Sequence, residues 1–111
     1  MVPFEVFWDR LKKELMTESK KSGDRKWNWI IPKWSFEGRV EGDLSLIYYE
    51  GNDIVHFITS NDRETSAFKD EFERLYAEWE DYCKGWATSS YLNKELKLKR
   101  LTYTVPTLHH F

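Results

Sequence analysis

The stretch Thr65 to Gly85, TSAFKDEFERLYAEWEDYCKG, limits the possible folds more than any other part of the chain. Phe68, Phe72, Leu75, Tyr76, Trp79, Tyr82 and Cys83 recur at spacings of three and four, while Lys69, Asp70, Glu73, Arg74, Glu80 and Asp81 fill positions between them. This is the pattern of an amphipathic helix with one apolar stripe. Thr65 or Ser66 suits its N-terminal cap, and Lys84 followed by Gly85 suits its end. A stripe so rich in aromatic rings requires a wide apolar partner surface, and the residues before it are patterned to supply one.

Those residues alternate. Trp27, Trp29 and Ile31 form one set, Pro32 interrupts, and Trp34, Phe36 and Val40 resume an every-second-residue pattern with Gly38 between them. Proline donates no hydrogen bond to a sheet ladder, so two strands broken at Pro32 are expected. Glu41-Gly42-Asp43 and Gly51-Asn52-Asp53 are turn signals on either side of LSLIYYE, and IVHFITS follows. The reading is an antiparallel β-meander with strands at roughly 34–41, 44–50 and 53–59.

Before the meander, Phe4, Phe7, Trp8, Leu11 and Leu15 sit at helical spacing behind Pro3, which predicts a helix from about Phe4 to Glu18. Ser19 to Lys26 reads as a loop, and so do the small polar residues Ala87 to Ser90. The tail, YLNKELKLKRLTYTVPTLHHF, mixes two periods. Leu96 and Leu98 alternate with lysines, whereas Leu101, Val105 and Leu108 follow helical spacing. A helix within 91–97 and a second short one at the C-terminal end are expected, with Pro106 either in a first helical turn or beyond a strand of Leu101, Tyr103 and Val105. The fold class is therefore α+β: one domain in which three or four antiparallel strands are covered on one face by the N-terminal helix and the long helix at 65–85, with a partly helical tail.

With 111 residues and 13.5 kDa, the chain can hold a single core without metal or disulfide staples. Cys83 is the only cysteine, which excludes an internal disulfide and a thiolate metal cluster within one chain. No run approaches the length of a membrane span, and the N-terminus lacks the layout of a secretory signal, so a soluble cytoplasmic protein is expected. Net charge is −2, and no global positive field announces a nucleic-acid binder. The distribution is uneven: 51–85 carry four bases against nine acids, and 86–111 carry four bases against one acid. The aromatic share is 17%. A small interior has trouble hiding so many large rings, so either they fill a thin core or some lie at a binding surface.

Residues able to carry chemistry are few. His56 lies in a strand pattern, opposite in parity to Val55 and Phe57, and the adjacent His109 and His110 cannot face one site from a helix. Cys83 falls near a helix C-terminus, where the dipole disfavours a thiolate. No phosphate loop and no nucleophile elbow occurs, so no cofactor, metal or catalytic residue is expected. Asp43, Glu50 and Asp53 flank turns, and Glu37 with Glu41 or Glu50 would make a carboxylate pair; a small carboxylate-dependent hydrolase or nuclease is the alternative that these acids support. The basic-aromatic mixture Lys26-Trp27, Trp29, Lys33-Trp34 and Arg39 suits stacking of unpaired bases or sugars with contacts to phosphate. Trp27, Trp29, Trp34 and Arg39 are therefore the candidate ligand-binding residues, and single-stranded nucleic-acid binding is a second alternative.

The order DEFERLYAEWEDYCKG, a polar gap, YLNKEL and then TYTVPTLHHF resembles a pattern in small uncharacterised bacterial proteins carried by mobile elements such as integron gene cassettes. The resemblance covers about the last 45 residues and carries over no functional residue. It implies a bacterial accessory protein. Together with the aromatic excess it makes a non-enzymatic binding or regulatory module the leading expectation, with a protein or small molecule as ligand and self-association as a two-fold dimer through an aromatic surface.

Overall fold

A computed structural model describes residues 2–22, 28–38, 40–47, 53–58 and 64–111, with the side chains of 16–22, 28–30, 43, 45–47, 58 and 64 outside that description. The element order is α1 (Phe4–Ser22), β1 (Asn28–Pro32), β2 (Asp43–Ile47), β3 (Ile54–Ile58), β4 (Glu64–Phe68), α2 (Lys69–Ala77), α3 (Trp79–Cys83), α4 (Ser89–Lys94) and α5 (Leu101–His110). The α+β class is as expected. No described helix is long and apolar enough to cross a membrane.

The four strands lie in sequence order, each antiparallel to its neighbour. Register places Ile31 opposite Leu44 and Val55 opposite Ala67. These residues and Phe57 are buried in the same core as residues of each of the five described helices, so one sheet face carries the helical layer. On the opposite parity, Ile54, His56 and Ser66 are half-buried and Phe68 is 49% exposed.

Three expectations need correction. The segment 34–41 is not a strand. Pro32 ends the edge strand β1, which is where a missing donor costs least, and the chain then loops until Lys33 N–H closes on the Gly42 carbonyl at 3.0 Å. The fourth strand comes instead from Glu64–Phe68, which had looked like the start of the long helix. Thr65, Ala67 and their neighbours satisfy the edge of β3, and that pairing overrides a helical spacing to which only Phe68 contributes in this stretch. Finally, the helix is divided at Glu78, whose backbone (φ −102°, ψ 2°) leaves helical geometry and whose N–H turns back to the Leu75 carbonyl.

Local chemistry explains the element ends. Glu71 reaches back to accept the Phe68 N–H at 2.7 Å, and its other oxygen pairs with Arg100 at 2.8 Å. One carboxylate therefore fixes the start of α2 and the residue preceding α5. At the end of α3, Gly85 (φ +79°) donates to the Tyr82 carbonyl and Trp86 to that of Asp81, a Schellman arrangement. The Thr88 hydroxyl accepts from the Tyr91 N–H, so the small polar run read as a loop is in part a helix cap. α1 continues beyond its expected end to Ser22.

The tail is structural. Thr104 to Leu108 are buried without interruption, and Leu98 joins them in the core. The two buried threonines bond their hydroxyls to carbonyls one turn earlier, Thr107 to Tyr103 at 2.8 Å and Thr104 to Arg100 at 3.3 Å. Their polarity is thus satisfied inside the helix. Pro106 sits in the interior of α5, not in its first turn.

Trp8 is fully buried at the centre of a ring cluster with Phe4 and Phe72, and its indole N–H donates to Asp53 at 3.3 Å. Asp53 holds a left-handed backbone (φ 57°) at the entry to β3, a conformation that Asp and Asn tolerate. Replacing Asp53 by Ala removes the acceptor and strains the turn. Urea unfolding of Asp53→Ala is expected to show a loss of about 1–2 kcal/mol, with Asp53→Asn close to the parent.

Candidate functional site

The break at Glu78 splits the aromatic stripe of the sequence into two. Phe72, Leu75 and Tyr76 on α2 are buried with α1, where Tyr76 lies 5.3 Å from Phe7 and 5.4 Å from Phe4. Trp79 and Tyr82 on α3 meet the loop that follows β1 instead. Trp34 stands at the centre of this second group, with ring centroids 6.1 Å from both Trp79 and Tyr82. His109 of α5 stacks on it at 3.9 Å, the planes 2° apart.

The loop is tied to α3 by one phenol. Tyr82 is 1% exposed, and its hydroxyl accepts the Phe36 N–H at 3.1 Å and lies 3.3 Å from the Ser35 hydroxyl, which itself accepts the Glu37 N–H at 3.2 Å. Two further contacts hold the loop. The Phe36 ring rests on Gly85, where an added Cβ would come within 3.0 Å of it. The Glu37 carboxylate accepts the Ser89 N–H at 2.8 Å and the Ser89 hydroxyl, at the start of α4.

Behind these tethers lies a cavity of about 180 Å³ between the loop and α5. Trp34, Val40, Leu101, Val105 and Pro106 supply most of its apolar wall. Lys33, Ser35, Tyr82, Ser89 and Thr102 also line it, and among the described residues no carboxylate does. A second depression of about 290 Å³, lined by Tyr76, Trp79, Arg10 and Leu108 among others, is more open. Trp34 lines the first and Trp79 the second, so the two hollows back onto one aromatic pair.

Of the residues marked in the sequence, Trp34 is at the site. Trp29 lies in β1 opposite Leu46, and its side chain is outside the described residues, as are Trp27 and Arg39 entirely. Trp34 does not lie in a second strand beyond Pro32, as the alternation had implied, but in the loop after β1. With His109 stacked on it, one face of Trp34 is closed to a nucleobase. The acids are also placed. Glu37 caps α4 and Asp53 accepts from Trp8; Glu50 and the side chain of Asp43 lie outside the described residues. Among the described residues no group of three His, Cys, Asp or Glu side chains is placed to hold a metal ion. Cys83 is exposed at the end of α3 rather than on a buried stripe, and partial desolvation pushes its thiol up, away from reactivity. Sequence reasoning missed Lys33, Ser35, Tyr82, Val105, Pro106 and His109 as members of one site. Tyr82 and Val105 carried a signal as apolar-stripe positions, and Lys33 as a base next to Trp34.

No family model, curated protein or solved structure matches this chain.

His109 has its pKa lowered, first by partial burial against its neighbours and then by repulsion from His110. Because the folded state then binds this proton less readily than the unfolded chain, the contribution of His109 to stability is present above the ordinary histidine range and is lost as pH falls through it. The unfolding free energy of the parent is expected to fall between about pH 7.5 and 5, and that of His109→Gln to fall less steeply over the same range. Denaturant titrations at several pH values measure the difference in slope.

Proposed function

We propose that this chain is a non-enzymatic binding module of a bacterial accessory protein, working in the cytoplasm, and that its site is the cavity beside Trp34. The observation that supports this reading is the built character of the wall. An apolar pocket is bordered by hydroxyls and one lysine, and its loop is held by side-chain tethers from α3 and α4. Binding pockets combine such apolar linings with a few placed polar groups. Of the acids that favour a carboxylate hydrolase, Glu37 is engaged at α4 and Asp53 at Trp8, so neither is offered to this cavity.

A fragment screen by ligand-observed NMR tests the reading. The expected hits quench tryptophan fluorescence, compete with one another, and are lost in Val40→Trp, which fills the rim at an exposed position. An unchanged unfolding midpoint in Val40→Trp keeps the comparison clean. Absence of competing hits, or hits indifferent to Val40→Trp, overturns the proposal.

Self-association is supported by a different observation. Trp86 is 74% exposed, directly after Gly85, on which the 45% exposed Phe36 rests. Exposed rings placed together are more typical of a contact than of a solvated surface. A second copy of this chain is the proposed occupant. Light scattering across a concentration series is expected to show a dimer that Trp86→Ser converts to monomer; a monomer at all concentrations, or a dimer indifferent to the substitution, refutes it.

A further inference from the structure

We infer that the cavity beside Trp34 takes a single-ring carboxylate, an apolar ring the size of benzene bearing one anionic head. The inference rests on the binding reading above and names the ligand class for the same site. Size comes first. The cavity measures about 180 Å³, and an apolar cavity of about 150 Å³ in another protein accommodates benzene. A single ring with a short substituent therefore fits, and a fused bicycle or a nucleotide does not. The wall suits a ring: Trp34 and Pro106 are flat, and Val40, Leu101 and Val105 are branched aliphatics.

The head group follows from a count of protons. Tyr82 and Ser35 each carry one hydroxyl proton and each already accepts a backbone N–H, from Phe36 and Glu37 respectively. The two oxygens share one hydrogen bond at 3.3 Å, in which only one of the two protons is used. The other remains available as a donor, and both residues line the cavity. Lys33 lines it too, its side chain running beside Gly42. Among the described residues no carboxylate pairs with Lys33, and Glu37 of the same loop is engaged at Ser89. A hydroxyl donor and an ammonium without a lining carboxylate complement a ligand oxygen that carries negative charge. A neutral hydrocarbon would leave both unused, and a cationic ligand would meet Lys33.

The test compares benzoate and cyclohexanecarboxylate with benzyl alcohol, a neutral molecule of nearly the same size, by NMR titration of the full chain at pH 7 and low salt. Benzoate is expected to bind about tenfold or more tightly than benzyl alcohol. Lys33→Met is expected to bring the two within about twofold, since it removes the charge and keeps an apolar stem. The thermal midpoint of Lys33→Met monitors folding independently. If benzyl alcohol binds as well as benzoate, or if Lys33→Met keeps the preference for benzoate, the ligand class is wrong while the binding reading stands. If neither probe binds and the fragment screen is also empty, both fall together.

Discussion

The arrangement depends on the Tyr82 side chain. Its ring is buried against Trp79 at 5.5 Å and Trp34 at 6.1 Å, and its hydroxyl holds the backbone of the loop after β1. A buried phenol left without partners would cost about 1–3 kcal/mol, so ring burial and hydroxyl bonding are possible together only if the loop stays close. Tyr82 reaches the loop because α3 is reoriented at Glu78. A continuous helix would have kept Trp79 and Tyr82 in line with Phe72 and Tyr76. The break lets one apolar stripe serve two surfaces: the α1–sheet core and the wall of a cavity.

The rings are divided accordingly. Phe4, Phe7, Trp8, Phe72 and Tyr76 form a packed group over the sheet, with centroid separations from 5.3 to 6.2 Å. Trp34, Trp79, Tyr82 and His109 form another beneath the loop, with Phe36 at its edge. α5 contributes to both the core and the second group, through Val105 and Leu108 on the one hand and His109 on the other. Part of the aromatic excess is thus accounted for inside the chain, by its own C-terminal helix. Among the described residues the exposed rings are Phe36 and Trp86, on either side of Gly85, together with Phe68 and Tyr91.

Much of this architecture was legible in the sequence. The apolar spacing of Phe7, Trp8, Leu11 and Leu15 marked α1, and the alternation of Val55 and Phe57 marked the inner face of β3, because burial on one face imposes a period that side-chain type records directly. Gly85 marked the helix end because only a residue at ease with positive φ fits there. Other features had no such local record. Thr65 to Phe68 fit two periods, and the choice was made by the unpaired edge of the preceding strand β3, which side-chain type alone does not record. The break at Glu78 has no proline or glycine to announce it. Trp34 was expected in a strand and lies in a loop, since a loop pinned by side chains can mimic alternation. Lys33 stood out only as a base beside that ring, and Ser35 and Pro106 join it at the cavity wall only through tertiary contact, which no local pattern records.

The tethers of the loop have one more consequence. Ser35 and Phe36 meet Tyr82 across 47 and 46 residues of chain, and Glu37 meets Ser89 across 52. Contacts of such separation form only after the intervening sheet and helices have closed the loop between them, and the closure entropy is recovered late. The cavity therefore has no independent existence in a partly folded chain. It opens and closes with the cooperative unit as a whole, so an occupant of the pocket acts on the folding equilibrium of the entire layer rather than on the loop alone.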